Sequence, residues 1–471
     1  MGTSVPGTRV PVSFLRSTRA NAPSHAAGSL YHALVVSALF SLLSWPVGAA
    51  AAQSALRASA DSVDLTLSEV QRLALQRNPS FLALRENSAI ARGALQQSKL
   101  LPFNPSVQMQ LNGLISGNSD EPGTITLAQE LEIAGQRGQR VAAAKRGVTR
   151  VDATVLNAAR LTVADASVAF LRAVSAQRRE TLARDLLVLN ERLGVAVRTQ
   201  LREGEISELD ANLAEIEVGR ARGRVLAARR EAAVASVALA TQLGLPATMT
   251  FRLIDAEAEG VSAPQLSADS LLVVAASTRA DLQAQRAAVQ EAAALTSLAR
   301  REWIPNLQLG VFAERRPEAV TGGPAYPRFG PSLGVSLPMF NRNQGVIAQR
   351  RALETQSLRE LDATRFALRA DVSAALQSYQ AASAELAIYT ETVLGPARRN
   401  SGLLDTAFQA GKIALPTLLL LRNQLLDAEL GYWDAWLAQH AARVQLDAAT
   451  GALQPRTLPA STTSDTTRTR P

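Results

Sequence analysis

The stretch REGEISELD, Arg202–Asp210, puts a glycine where a long helical pattern ought to continue. A relative of it, QAGKIALPT, Gln409–Thr417, lies 207 residues further on, and both set Gly-(Glu/Lys)-Ile between two long apolar-periodic segments. The same offset relates Gly138 to Gly345 and Gly244 to Gly451, while Pro105-Ser-Val-Gln-Met returns as Pro305-Asn-Leu-Gln-Leu at an offset of 200. Self-similarity of this kind marks a chain built from copies of one supersecondary unit. Two repeats are therefore expected, at 65–245 and 266–453, joined by a linker at 246–265.

Each repeat has the same internal order. A helix of about 35 residues comes first, Ser68–Leu101 or Ser267–Trp303, with a serine near its start and proline beyond its end. Two short runs of alternating apolar and polar residues follow, and period two predicts strands with one apolar face. The strands are expected at about 105–114 and 124–131, then at 305–313 and 332–338. A very long helical pattern comes next, Gly138–Glu203 or Gly345–Ala410, with Leu182, Leu186, Leu189 and Leu193 stepping as in a coiled coil. Pro396 is expected to kink the second of these. After the Gly-(Glu/Lys)-Ile break a last helix runs to Gly244 or Gly451.

Length fixes the arrangement. The long helix, 66 residues, reaches roughly 100 Å at about 1.5 Å per residue, close to its two shorter neighbours laid end to end. An antiparallel rod follows, with strands at one end and the glycine turns at the other. Such a rod must bury its apolar seams against copies of itself.

Composition narrows the function. There is no cysteine, and two of the three histidines, His25 and His32, lie in the first fifty residues, leaving His440. That inventory argues against a Cys-ligated metal site and a Ser-His-Asp triad; His440, among Trp436, Leu437 and Ala441, reads as a packed helix residue. No enzyme, cofactor or metal site is expected. Residues 1–52 read as an export signal: Arg9, Arg16 and Arg19, then the apolar core HALVVSALFSLLSW, then small residues at Ala50 and Ala52. A segment at 53–64 precedes the first repeat. Removing three arginines from a formal charge of +8 leaves +5, scattered among acids, so nucleic acid is not expected as a partner. No α-helical membrane span is expected after the signal, and the Thr-, Ser-, Arg- and Pro-rich tail 454–471 has too little apolar surface to fold.

Four strands with one apolar face suit a barrel with lipid outside and water inside, yet four cannot close one, since the smallest such barrels have about eight. An open edge in hydrocarbon leaves backbone groups unpaired at several kcal/mol each, so an oligomer is implied. Two copies give eight strands, three give twelve. An eight-stranded barrel is filled by its own side chains, whereas twelve leave room for a passage.

These residues resemble the TolC family of outer-membrane efflux proteins over 65–453. LAQELEIAGQRGQRVAAAKR (Leu127–Arg146) and VSLPMFNRNQGVIAQRRA (Val335–Ala352) are similar to the family's strand-to-helix junctions and look closest to its heavy-metal (Czc/Cus-type) branch. REGEISELDANLAEIE and FQAGKIALPTLLLLRNQLLDAE resemble its repeated glycine motif. The resemblance implies a mainly α fold with a small β part: a homotrimeric α-helical tunnel carrying a twelve-stranded barrel in outer-membrane lipid of a Gram-negative cell. It implies a periplasmic adaptor and an inner-membrane RND-type pump as partners, with passive conduction, of heavy-metal cations, as the function. The lipid anchor that several branches carry on an N-terminal cysteine is expected to be absent.

The resemblance also assigns residues. Gly204, Glu205, Ile206 and Ser207, with Gly411, Lys412, Ile413 and Ala414, match the helix tips that meet the adaptor. A glycine permits the tight reversal, and the isoleucine beside it is expected as a small apolar knob. Asp210, Lys412, Thr417 and Leu420 match the region that controls the aperture; the family's second acidic ring is missing, since Thr417 and Leu420 stand there. Phe103 and Trp303, just before the strands, fit an aromatic belt at the membrane edge. The rival readings are a periplasmic coiled-coil structural protein without transport, and a duct for drugs or other organic compounds.

Overall fold

A computed structural model describes residues 63–111, 123–254, 267–316, 326–453 and 455. The export signal, most of 53–64, the linker from 255, the two strand-connecting loops and all but residue 455 of the tail lie outside the described residues. The first half runs β1 (Val63–Leu65), α1 (Leu67–Arg77), α2 (Pro79–Lys99), β2 (Ser106–Leu111), β3 (Gly123–Leu131), α3 (Gln136–Glu203) and α4 (Glu208–Gln242). The second runs β4 (Phe251–Leu253), α5 (Ala268–Thr278), α6 (Ala280–Arg301), β5 (Leu307–Arg316), β6 (Tyr326–Val335), α7 (Gln344–Ile388), a π-helical turn (Tyr389–Val393), α8 (Leu394–Gln409) and α9 (Leu415–Thr450).

The helices form a layer four wide. Next to the strands the order is α2, α3, α6, α7; beyond the middle it is α4, α3, α9, then the end of α7 with α8. Thus α4 continues the column of α2, and α9 that of α6, while α3 runs the whole length. The core at mid-height gathers Phe170, Val174, Leu239 and Trp436 beneath Leu65 and Phe251 of the parallel pair β1–β4.

The joints between stacked helices explain two of the repeated glycines. Gly244 and Gly451 end α4 and α9 with left-handed backbones. In each, the residue after the glycine bonds five residues back and the glycine three back: Leu245 N–H to Ala240 O (2.9 Å), Ala452 N–H to Asp447 O (2.8 Å). This Schellman closure needs a residue free to take positive φ. Each glycine also abuts a break in the helix stacked above it. A Cβ on Gly244 would collide with the Arg77 carbonyl, and one on Gly451 would lie 2.7 Å from Thr278 Oγ1.

Those breaks correct the expectation of single 35-residue helices. The first falls at Asn78, held extended by Pro79; its Oδ1 caps Phe81 N–H (3.0 Å) and its Nδ2 donates to Gln242 O (2.9 Å). The second falls at the matching Arg279 with no proline after it. There a buried guanidinium grips Asp281, Asp371 (3.1 Å) and the Ala449 carbonyl. Arg160 donates to Ala448 O and Thr278 to Thr450 O. Two cations and a hydroxyl thus satisfy the last carbonyls of α9, where cations are favoured by the helix dipole.

Other boundaries move for local reasons. The serine start of the first helix is a Thr66 capping box with Glu69. The long helices begin at Gln136 and Gln344 after left-handed Gly135 and Asn343; Gly138 and Gly345 lie inside the first turn with open space around them. Strand β6 starts at Tyr326, earlier than the expected 332, because its prolines, Pro327 and Pro331, lie on an edge strand, where a missing donor is tolerated. The kink expected at Pro396 takes the form of the π-turn just before it, where Leu394 N–H reaches back five residues to Tyr389 O. Finally, α3 is long and apolar enough by composition to cross a membrane, but 56% of that stretch is buried within the chain, as in a core helix.

Two outcomes follow for stability. Gly204 and Gly244 have similar φ, 74° and 61°, but only Gly244 has a backbone atom in the way. Strain alone costs about 1 kcal/mol, so Gly244→Ala should lower the urea midpoint distinctly more than Gly204→Ala. Burial by itself raises the Asp281 pKa, but the hydrogen bond and charge of Arg279 outweigh it and hold the carboxyl below its ordinary 3.8. A depressed carboxylate stabilises the fold above its unfolded pKa and loses that contribution as pH falls through the folded one. Stability should therefore decline below pH 3.8, and Asp281→Asn should flatten that part of the profile.

Candidate functional site

The strands form one antiparallel sheet in the order β2-β3-β5-β6. Its register lines up Val107, Leu127, Val311 and Pro331 in one row and Met109, Ile125, Ala313 and Phe329 in the next. Cross-strand neighbours share a face, so one face is a continuous apolar surface, and it is bare: Phe329 is 75% exposed and Val311 58%. The opposite face carries Gln108, Thr126, Phe312 and Gly330 in one row and Gln110, Thr124, Glu314 and Arg328 in another. Phe312 lies across Gly330, whose hydrogen leaves room for the ring. Gly310 is equally constrained, since a Cβ would come within 2.5 Å of Ser332 Oγ.

Apolar side chains also crowd the junction of strands and helices. Trp303, Leu100, Leu101, Ile133, Leu337 and Met339 are exposed there, and Phe340 is 90% exposed. Phe103 is half-buried, its carbonyl held by Gln129 Nε2 (2.9 Å). Leu337 falls in the strand expected at 332–338 but lies beyond the end of β6 at Val335; Met339 and Phe340 were absent from the sequence expectation, although LPMF ahead of a helix start signalled them.

At the far end the two glycine turns use the same closure as the joints. Glu205 N–H bonds Gln200 O (2.9 Å) and Gly204 N–H bonds Leu201 O (3.1 Å); Lys412 N–H bonds Ala407 O (2.8 Å) and Gly411 N–H bonds Phe408 O (2.9 Å). Nothing lies within 4 Å of a Cβ built on Gly204 or Gly411, so here the glycines serve the backbone alone. Ile206 and Ile413 are not free knobs. Both are half-buried in one cluster with Val197, Ala214, Leu415 and Leu418, which fastens the two turns together. The exposed tip residues are Glu205, Ser207, Lys412 and Ala414, and Leu209 is the exposed apolar one that sequence reasoning missed.

The turns differ in their second helices. Ser207 caps α4, accepting Asp210 N–H (3.1 Å) and donating to Asp210 Oδ2 (2.7 Å). Asp210 is thus engaged locally by its own helix cap. Ala414 offers α9 no side-chain cap, a difference of about 1 kcal/mol. Thr417 and Leu420 stand exposed on the first turns of α9. Arg422 pairs with Asp405 to tie α8 to α9, and Arg224 donates to Asn423 (3.0 Å) to tie α4 to α9.

A family model described as outer membrane efflux protein matches residues 271–452. Over that stretch, in the second half of the chain, the sequence is similar to the outer membrane efflux proteins. The fold is that of solved outer-membrane channels. It is 28% identical over 282 residues to the nickel-cobalt-cadmium resistance protein NccC of Alcaligenes xylosoxydans xylosoxydans, covering 59% of this chain and 61% of that one. The chain thus spans about three-fifths of this curated relative. Among solved structures, the outer-membrane channel OprN superposes with a TM-score of 0.67 at 18% identity, covering 83% of this chain and 91% of that one. CusC, a transmembrane channel, gives 0.66 at 17%, covering 83% and 93%.

Within this fold, His440 is a helix residue packed on Trp436, its Nδ1 2.8 Å from the Trp436 carbonyl. Among the described residues no cluster of three or more His, Asp or Glu side chains could hold a metal ion. The bare sheet face is testable. Val311→Arg should cut the yield of outer-membrane protein sharply, since a cation facing lipid at mid-depth costs about 2–4 kcal/mol. Gln108→Arg, on the opposite face, should leave the yield near normal in the same membrane fractionation.

Proposed function

We propose that three copies close edge to edge into the exit duct of a tripartite efflux system, which passively conducts heavy-metal cations to the exterior. The supporting observation is that two layers are open at the same places. Strand β2 and helix α2 end the sheet and the helix layer on one side; β6 and α7 end both on the other. Joining unlike edges head to tail closes strands and helices in one operation, and such heterologous contacts make rings. Three copies give twelve strands, enough for a passage lined by the polar face.

On this reading residues 65–245 and 266–453 are the two repeats, 1–52 the export signal and 246–265 the linker. The exposed tips at Gly204–Ser207 and Gly411–Ala414 meet a periplasmic adaptor, itself joined to an RND-type inner-membrane pump. Lys412, Thr417 and Leu420, on the less firmly capped turn, border the aperture. The metal cargo is supported by the likeness to a protein of nickel, cobalt and cadmium resistance. The chain does no catalysis; the pump selects the cargo.

Deleting the gene should lower tolerance of nickel, cobalt or cadmium. Lowered tolerance of organic compounds alone would reassign the cargo, and unchanged tolerance of both would overturn the duct. The purified protein should cross-link as three copies. Gly204 or Gly411 replaced by valine should impair efflux while the cross-linked trimer persists.

A further inference from the structure

One face of α3 is covered at mid-height, while on the opposite one Leu161 and Arg172 are exposed. Phe170 and Val174 pack beneath β1 and β4. At about 100° per residue, Leu161, Arg172 and Arg179 fall on the far side of the helix. There a groove of about 830 Å³ runs over α3 between α4 and α9. That is the size of an ordinary ligand site.

Four arginines line it: Arg172 and Arg179 from α3, Arg224 and Arg230 from α4. The lining has one carboxylate, Glu231, 3.4 Å from Arg179, and Asp434 at the margin also pairs with Arg179. Among the described residues Arg224 has only the neutral Asn423 as partner. Arg172 and Arg230 have no acidic partner among the described residues. Two further donors have no partner among the described residues: the hydroxyl of Ser175, a residue 2% exposed, and the buried Nε of Arg179. Alanines make up much of the remaining wall. Guanidinium groups beside an apolar surface attract anions more strongly than in open water.

We infer, on the duct reading above, that this groove is an anion-binding band on the inner wall of the passage. The face covered by β1 and β4 must turn outward in a ring, because that extra layer would otherwise fill the passage. The groove then faces inward. Since α3 lies inside the four-helix layer, a neighbouring copy joined at the edges leaves it open. Small anions and anionic complexes collect along it, and a metal ion crosses this level more readily with its ligands than bare.

The test is the reversal potential of the purified full chain in planar lipid bilayers under a potassium chloride gradient. The double variant Arg172→Gln/Arg230→Gln should shift selectivity toward potassium by about twofold or more in permeability ratio. Arg172→Lys/Arg230→Lys should keep the native ratio. Arg229→Gln, which removes an exposed charge beside Arg230 but outside the groove, should also keep it. An unchanged ratio in the glutamine pair, or an equal shift from Arg229→Gln, would overturn the band while leaving the duct intact. Absence of any conductance from native protein would overturn the duct reading, and the band with it.

Discussion

Two unpaired backbone edges govern this molecule. The sheet has four strands, an apolar face bare to its surroundings, and open edges at β2 and β6. Water can satisfy such edges, but hydrocarbon cannot. The helix layer shares the constraint through its width: four columns beneath four strands, ending at the same two margins. Keeping that width along the whole rod requires short helices to follow one another in register, and the joints at Gly244 and Gly451 do this. A side chain at either glycine would push a column out of line and shift the margins of the layer.

The two joints reach one geometry by different chemistry. In the first repeat, proline and asparagine bend the chain and cap the following helix. In the second, a buried arginine does the bending, held by Asp281 and Asp371. A buried ion pair is poor evidence of net stability, since desolvation offsets much of the attraction. Its worth here is positional: Arg279 joins α5, α6, α7 and the end of α9 at one point. That makes the second repeat's joint sensitive to acid in a way the first is not.

Sequence reading reached features whose signal is local. Gly204 and Gly411 could be seen as turns because only a residue tolerant of positive φ closes a helix this way, and period two identified the strand faces. What escaped it depends on partners distant in sequence. Arg279 breaks its helix through Asp371, which no local pattern reveals. Ile206 and Ile413 looked like exposed knobs because their burial comes from each other's hairpin. Asp210 looked available until its cap with Ser207 was visible. The start of β6 was hidden by prolines whose tolerance depends on being at a sheet edge. The arginines of the groove come from two helices, and in sequence they resemble any other solvated charge.

The π-turn at Tyr389–Val393 is a further difference between the two halves of the chain. Both long segments take 66 residues from Gly138 or Gly345 to the closing glycine, but only the second spends one on a wider turn. Tyr389 there presses on the backbone of Gly431. An α-helix advances about 1.5 Å and turns about 100° per residue, so the second hairpin arrives about one residue short and rotated relative to the first. In the proposed ring of three copies the six ends would not be sixfold equivalent. A ligand with true sixfold symmetry would meet alternate ends at two heights, and one with threefold symmetry would meet them all alike.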